Sequence, residues 1–265
     1  MSSKACGEKR ANLVFLIICF LLVGMVVCFI FVDKPVSSWV QRNRPEVHET
    51  RWMEAIEQLG KVYPLVWLLL LGVLVTGRHK MVLVGLLALI ITMPVVWPLK
   101  IAVHRPRPID VVKAKNGGER SLHSGRSFPS GDTASVFAAG TVLVSSVSWI
   151  WAIVIAFCCC GVGVLRVAAL AHYPSDIFGG AALGIFCGWA AMKIMSGNPQ
   201  IENILRGWER ILSLIGVLLI PVLMWFFQGS DKLKILLEFY VPIAAIVLII
   251  SLIRKLQGNQ VSGWN

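Results

Sequence analysis

Stretches of mostly apolar residues alternate with polar segments along the chain. The apolar stretches span about residues 13–32, 62–76, 81–99, 133–147, 150–165, 177–195, 211–227 and 239–253. A helix needs roughly 20 apolar residues to cross the hydrocarbon core of a bilayer, and most of these stretches approach that length. We therefore predict an all-α, polytopic membrane helix bundle with about eight transmembrane helices.

The composition supports membrane insertion and narrows the class of partner. Hydrophobic residues make up 57% of the chain, and the mean hydropathy is +0.75. The net charge of +11 would suggest nucleic acid in a soluble protein, but here the cations flank apolar stretches and cluster in polar segments. We therefore predict anionic lipid or a phosphorylated headgroup as the partner within the lipid bilayer, and no nucleic acid, and we leave the oligomeric state open.

The seven cysteines lie in the amino-terminal tail or inside predicted helices. None falls in a long polar loop, and their spacing does not match that of a metal site. We therefore predict no structural disulfide, no metal and no cofactor.

The polar segments suggest a topology. The basic link Gly77-Arg78-His79-Lys80 is typical of a cytoplasmic loop. Alternation of the helices then puts segments 33–61, 100–132, 166–176 and 228–238 on the outer face. Segment 33–61 carries apolar residues at near-helical spacing, which is typical of an interfacial segment, either a packed cover or an element that gates lipid entry.

The first of three polar clusters follows the third predicted helix. Lys100, His104, Arg105 and Arg107 fall within eight residues at a membrane boundary. These side chains repel one another when charged, so the cluster favours a bound anion, although cations at helix ends also extend toward water without binding a ligand.

The second cluster, residues 128–132, opens the fourth predicted helix. Ser130 or Asp132 is suited to cap this helix, and Gly131 permits close approach to the backbone. Free N–H groups at a helix start favour an oxyanion. Simple capping explains the residues equally well when the cluster is taken alone.

The third cluster lies between the fifth and sixth predicted helices. Arg166 and His172 are separated by apolar residues, and Asp176 follows the histidine by four positions. A carboxylate at that spacing can hold one imidazole nitrogen and leave the other as a base or nucleophile. A structural His–Asp pair is the alternative.

In this order, the clusters resemble the three-part signature of the type 2 phosphatidic acid phosphatase (PAP2) superfamily, namely Lys100-x6-Arg107-Pro108, Pro129-Ser130-Gly131 and Arg166-x5-His172-x3-Asp176. The resemblance covers residues 100–176 and implies a PAP2-like core. It implies that the side chains of Lys100, Arg107 and Arg166 bind phosphate oxygens. The backbone N–H groups of Ser130 and Gly131 would complete the phosphate site. The resemblance further implies that His172 attacks phosphorus to form a phosphohistidine, without metal, while Asp176 orients the imidazole. These roles suit phosphoryl transfer, which depends on positioning and charge stabilisation.

Two positions depart from the family pattern. Leu165 stands where the family usually has serine, and Asp132 stands where it has a histidine that protonates the leaving oxygen. A carboxyl group with a normal pKa of about 3.9 is ionised at neutral pH. Three interpretations stay open: Asp132 is a helix cap in a weak or inactive enzyme, His104 or His123 supplies the proton, or the chemistry needs no strong acid. In the last case a diphosphate expels a phosphate monoester, and Asp132 is a catalytic base for water.

The resulting prediction is a membrane lipid phosphatase, most simply one that acts on a polyprenyl diphosphate such as undecaprenyl diphosphate. Alternatives are a lipid-to-lipid phosphotransferase, for example onto lipid A, a phosphatidic acid or phosphatidylglycerophosphate phosphatase, and a catalytically inactive binder or transporter. We expect a multi-pass cell membrane protein, inner or plasma, whose site faces the periplasmic or extracellular side.

The predicted domain organisation has four parts. Residues 1–12 are a cytoplasmic tail, 13–197 a PAP2-like membrane catalytic domain, 198–254 an additional helical hairpin and 255–265 a disordered tail.

Overall fold

The computed structural model describes residues 3–43, 61, 65–66, 69, 79–115 and 126–196. Regular structure within these residues is entirely helical, which confirms the predicted all-α fold. The elements are α1 (Ser3–Val27), a π-helical turn (Cys28–Val32), α2 (Asp33–Asn43), α3 (His79–Val103), α4 (Pro108–Lys115), α5 (Gly131–Val144), α6 (Trp149–Ala168) and α7 (Pro174–Ser196).

Several described segments are suited to cross a membrane. Ala11–Asn43, Lys80–Val112, Trp149–Ala168 and Pro174–Ser196 are long and apolar enough to span a bilayer, and Gly131–Val144 is apolar but shorter. A multi-pass membrane protein is thereby confirmed. The predicted helix at 62–76 lies largely outside the described residues, and those at 211–227 and 239–253 lie wholly outside them, so the total of eight stays a prediction.

The predicted domain boundaries also stay predictions. Helix α1 begins at Ser3 and therefore includes most of the predicted tail. Helix α2 covers the start of the predicted interfacial segment, and residues 44–60 of that segment lie outside the described part of the chain.

The bundle is organised around α7, which packs against α1, α3 and α5, while α6 packs against α5. The contact between α7 and α5 uses three glycines of α7 that are four residues apart, Gly180, Gly184 and Gly188. A Cβ on Gly180 would lie 2.6 Å from the Ser130 carbonyl oxygen, and one on Gly188 would lie 2.7 Å from the Ala138 carbonyl oxygen. Only glycine permits this backbone approach, which is typical of membrane helix pairs.

Chain direction brings the polar clusters to one end of this bundle. Helices α3 and α6 end there, and α5 and α7 begin there. The three clusters therefore share one end of the bundle, as predicted.

We expect Gly184→Ala to destabilise the protein. Its new Cβ would lie 2.8 Å from Phe137 Cβ and 3.0 Å from Ala138 N, and overpacking of this kind costs about 1–3 kcal/mol. The measurement is the melting temperature in detergent. Gly161→Ala is the matched control, because a Cβ there meets nothing within 4 Å and improves helix propensity. Equal melting temperatures for the two variants would contradict the packing argument.

Candidate active site

The end of α6 brings Arg166 and His172 together. The N–H groups of Ala171 and His172 both donate to the Arg166 carbonyl oxygen, at 3.1 and 3.3 Å. Leu170 completes the turn in a left-handed conformation with φ 55°. A non-glycine residue accepts this conformation at a cost of about 1–2 kcal/mol. The five-residue spacing between Arg166 and His172 is therefore the length of a helix-ending turn.

Backbone hydrogen bonds attach the other two clusters to the third. The Ile109 N–H, beside the first cluster, donates to the Leu170 carbonyl oxygen at 2.9 Å. The Ser130 N–H, in the second cluster, donates to the Asp176 carbonyl oxygen at 3.1 Å. The Ser130 N–H is one of the two predicted phosphate donors, and it is already used within the protein. The Gly131 N–H then remains as the predicted backbone donor at this helix start.

Three predicted phosphate ligands, Lys100, Arg107 and Arg166, converge beside the start of α5. Lys100 and Arg107 are half-buried, Arg166 is buried, and the three lie close enough to interact electrostatically. The Lys100 Nζ donates to the Arg126 carbonyl oxygen at 2.9 Å. A Cβ on Gly131 would lie 3.7 Å from Lys100 Cε, an ordinary contact, so the protein's own packing does not demand glycine there.

The predicted His172–Asp176 pair is adjacent and buried, with 4% of His172 and 0% of Asp176 exposed. His172 Nδ1 lies 3.7 Å from Asp176 Oδ2, which is longer than a hydrogen bond, and it makes no hydrogen bond to the described residues. Asp176 Oδ2 instead accepts from Ser127 Oγ at 2.5 Å and from the Tyr173 N–H at 2.9 Å. The carboxylate thus faces the imidazole while being held by other donors.

Burial lowers the pKa of His172 to about 4, Lys100 and Arg107 reinforce this shift, and the Asp176 carboxylate opposes it. The imidazole is therefore neutral at physiological pH and keeps the lone pair that a nucleophile needs. With Nδ1 toward Asp176, Nε2 points to the opposite side of the ring.

The start of α5 resolves which residue caps this helix. Ser130 Oγ accepts from the Thr133 N–H at 3.4 Å and from Thr133 Oγ1 at 2.9 Å, so Ser130 is the cap and Asp132 is not. Asp132 forms an ion pair with Arg166 instead, and 24% of its side chain is exposed. The family's histidine position is thus occupied by an anion bound to a predicted phosphate ligand.

Sequence reasoning missed the role of Arg105 and overlooked Asp33. The Arg105 guanidinium donates from Nη1 to Asp176 Oδ1 and from Nη2 to Asp33 Oδ2, both at 2.7 Å. It also lies 3.9 Å from the centre of the Tyr173 ring. An acidic residue directly after a long apolar stretch was the available signal for Asp33.

The other residues named in the sequence analysis lie away from these side chains or outside the described residues. His104 is exposed, and its side chain makes no hydrogen bond or ion pair with the described residues. His123 lies outside them, and Leu165 is half-buried on α6. Within the described ranges, no group of three or more His, Cys, Asp or Glu side chains is arranged to hold a metal ion.

Comparisons with known proteins show which family of membrane proteins this fold resembles. The family model of the PAP2 superfamily matches residues 80–200, which contain every predicted site residue. The fold is similar to the crystal structure of Aquifex aeolicus LpxE, with a TM-score of 0.51 and 27% identity over 61% of this chain and 95% of that one. It is also similar to the crystal structure of a transmembrane PAP2 type phosphatidylglycerolphosphate phosphatase from Bacillus subtilis. The TM-score is 0.51, with 20% identity over 69% of this chain and 94% of that one. No curated protein sequence matches the chain.

The fold and the site therefore resemble those of polytopic membrane proteins of the PAP2 type. Residues 80–200 match the family model of the PAP2 superfamily, which confirms the resemblance predicted from the three clusters.

We expect the His172 imidazole to stay neutral well below the usual histidine range. In the folded protein its pKa is about 4, whereas the unfolded chain takes up the proton near about pH 6.5. This group therefore lowers stability as pH falls from about 6.5 toward 4. NMR of histidine-labelled protein in detergent should show one imidazole still neutral at about pH 5, with a signal missing from His172→Ala. Protonation of every imidazole near the usual value would contradict the burial argument.

Proposed function

We propose that this protein hydrolyses a membrane lipid phosphate through a phosphohistidine formed on His172. The observation that carries the proposal is the buried, neutral imidazole with three cations around it. Lys100, Arg107 and Arg166 are arranged to neutralise phosphate oxygens, where charge stabilisation matters most for phosphoryl transfer. Asp176 faces the Nδ1 side of the imidazole at 3.7 Å, from where its negative charge orients the ring.

In the first step, Nε2 of His172 attacks phosphorus, a phosphorus–nitrogen bond forms, and the bond to the leaving oxygen breaks. In the second step, water attacks the phosphohistidine, inorganic phosphate leaves, and a base accepts the water proton. Asp132 is suited to this second role, because it lies beside Arg166 and is partly open to solvent.

We further propose that the preferred substrate is a lipid diphosphate such as undecaprenyl diphosphate. Its leaving group is a phosphate monoester, which departs without strong acid help. Asp132 also competes with substrate for Arg166, since the two side chains form an ion pair. A diphosphate carries more negative charge than a monoester and competes better for that guanidinium.

We also propose that the site faces the periplasmic or extracellular side of the cell membrane. Lys80 lies at the amino end of α3 and Lys100 near its other end, so the site end is opposite the basic link at residues 77–80. Short basic links favour the cytoplasmic side.

Phosphate release by the purified protein is the decisive test. We expect release from undecaprenyl diphosphate to exceed release from phosphatidic acid, and His172→Ala to abolish both while the protein still inserts and stays folded. The readouts are inorganic phosphate and acid-labile phosphoprotein. Release mainly from phosphatidic acid would keep the phosphatase and overturn the diphosphate preference. Transfer of phosphate to added lipid A without release would favour the phosphotransferase, and binding without chemistry would favour an inactive binder.

Replacement of Asp132 tests the leaving-group argument. We expect Asp132→His to raise turnover of phosphatidic acid several-fold, because it supplies the proton that an alkoxide leaving group needs. Asp132→Asn is the matched control, since it also frees Arg166 but donates no comparable proton. The measurement is kcat for both substrates. An equal gain in the two variants would attribute the effect to the freed arginine, and no gain in a folded Asp132→His variant would contradict the argument.

A further inference from the structure

A buried acidic residue of the first membrane segment reaches the site from outside residues 80–200. Asp33 is 2% exposed and begins α2. It directly follows the π-helical turn Cys28–Val32. A π-helical turn contains one more residue than an α-helical turn, which rotates the residues after it, and such turns often occur at functional sites. The irregular turn therefore accompanies a change in the direction of the Asp33 side chain.

Asp33 contacts both residues that flank the site carboxylate in space. Its Oδ2 accepts from Arg105 Nη2 at 2.7 Å, and the same guanidinium donates to Asp176 Oδ1 at 2.7 Å. Its Oδ1 accepts from the Ser175 N–H at 2.9 Å, and Oδ2 also accepts from Ser175 Oγ at 2.5 Å. Asp33 thus binds the arginine that holds Asp176 and the residue that precedes Asp176 in the chain.

The side chains around Arg105 hold its guanidinium in one position. The guanidinium carbon lies 3.9 Å from the centre of the Tyr173 ring and 5.2 Å from the centre of the Phe29 ring. The Arg105 side chain is 15% exposed, so water replaces a lost partner only in part. The guanidinium also donates from Nη1 to Ser175 Oγ at 2.7 Å, so it is held by two carboxylates, one hydroxyl group and two rings. Loss of Asp33 removes one of these constraints directly, and it removes a hydrogen-bond partner of Ser175 as well.

We propose that Asp33 is a positioning residue that, through Arg105 and Ser175, fixes the orientation of Asp176 toward His172. This inference rests on the proposed function, in which His172 is the nucleophile. The first membrane segment then completes the active site. Asp33 acts on the rate of phosphohistidine formation and leaves phosphate binding by the three cations unchanged.

The test is a single-turnover measurement of phosphohistidine formation on Asp33→Asn, with radiolabelled undecaprenyl diphosphate and full-length protein in detergent. The burst amplitude reports the folded, active fraction, whereas the rate constant reports the chemistry. We expect the rate constant to fall about 10- to 100-fold, because displacing a reacting group by about 1 Å costs about 100-fold in rate, with the amplitude and the inhibition constant for vanadate retained. Lys34→Gln is the matched control, because it removes a neighbouring charge from an exposed side chain.

A lower amplitude with an unchanged rate constant would show that Asp33 only stabilises the fold, which would overturn the inference. If Asp33→Asn does not fold, Asp33→Glu keeps the charge and displaces the carboxylate, so its rate constant should fall below the wild-type value. A wild-type rate constant in that variant would overturn the inference.

Failure of the proposed function is distinguishable, because wild-type protein would then form no phosphohistidine. In that case the NMR signal of the His172 imidazole decides the inference. It should shift in Asp33→Asn and not in Lys34→Gln, and an unchanged signal would overturn the positioning role.

Discussion

The buried carboxylate of Asp176 is the constraint around which the site is built. A carboxylate with no exposed surface is stable only when charged or polar partners replace its water. Those partners come from all three clusters: Arg105 from the first, Ser127 beside the second, and the Tyr173 N–H from the third. Because the partners of this one carboxylate come from three separate segments, those segments lie together in the fold. Their proximity places the cations around His172.

The membrane determines how these segments are held together. Lipid is as apolar as the helix surfaces, so helix association depends on close packing instead of apolar burial. The glycines of α7 provide that packing against α5, and the closest approach at the site end joins Gly180 to Ser130. The hydrogen bond from the Ser130 N–H to the Asp176 carbonyl oxygen lies at the same place. The close packing of α7 against α5 therefore also sets the position of Ser130 relative to Asp176 in the site.

Local sequence patterns predicted the features that local structure determines. Within the described residues, apolar stretches predicted the long membrane helices, and the Arg166-x5-His172 spacing follows from one helix-ending turn. The contact of Arg105 with Asp33 joins residues 72 positions apart, and no periodicity connects them. The cap was ambiguous because serine and aspartate are both good N-caps, and only the ion pair of Asp132 with Arg166 separates their roles.

Asp132 and Asp176, the two acidic residues of the predicted site, differ in freedom, and this difference shapes the chemistry available. Asp176 is held by Arg105 and by two further donors, so it has little capacity left to bind the phosphate ligands. Asp132 is partly exposed, and its partner Arg166 is itself one of the predicted phosphate ligands. An incoming phosphate therefore competes with Asp132 for Arg166, while the Asp176 side of the imidazole stays fixed. The arrangement separates a rigid orienting carboxylate from a displaceable one, and only the displaceable carboxylate can respond to the charge of the substrate.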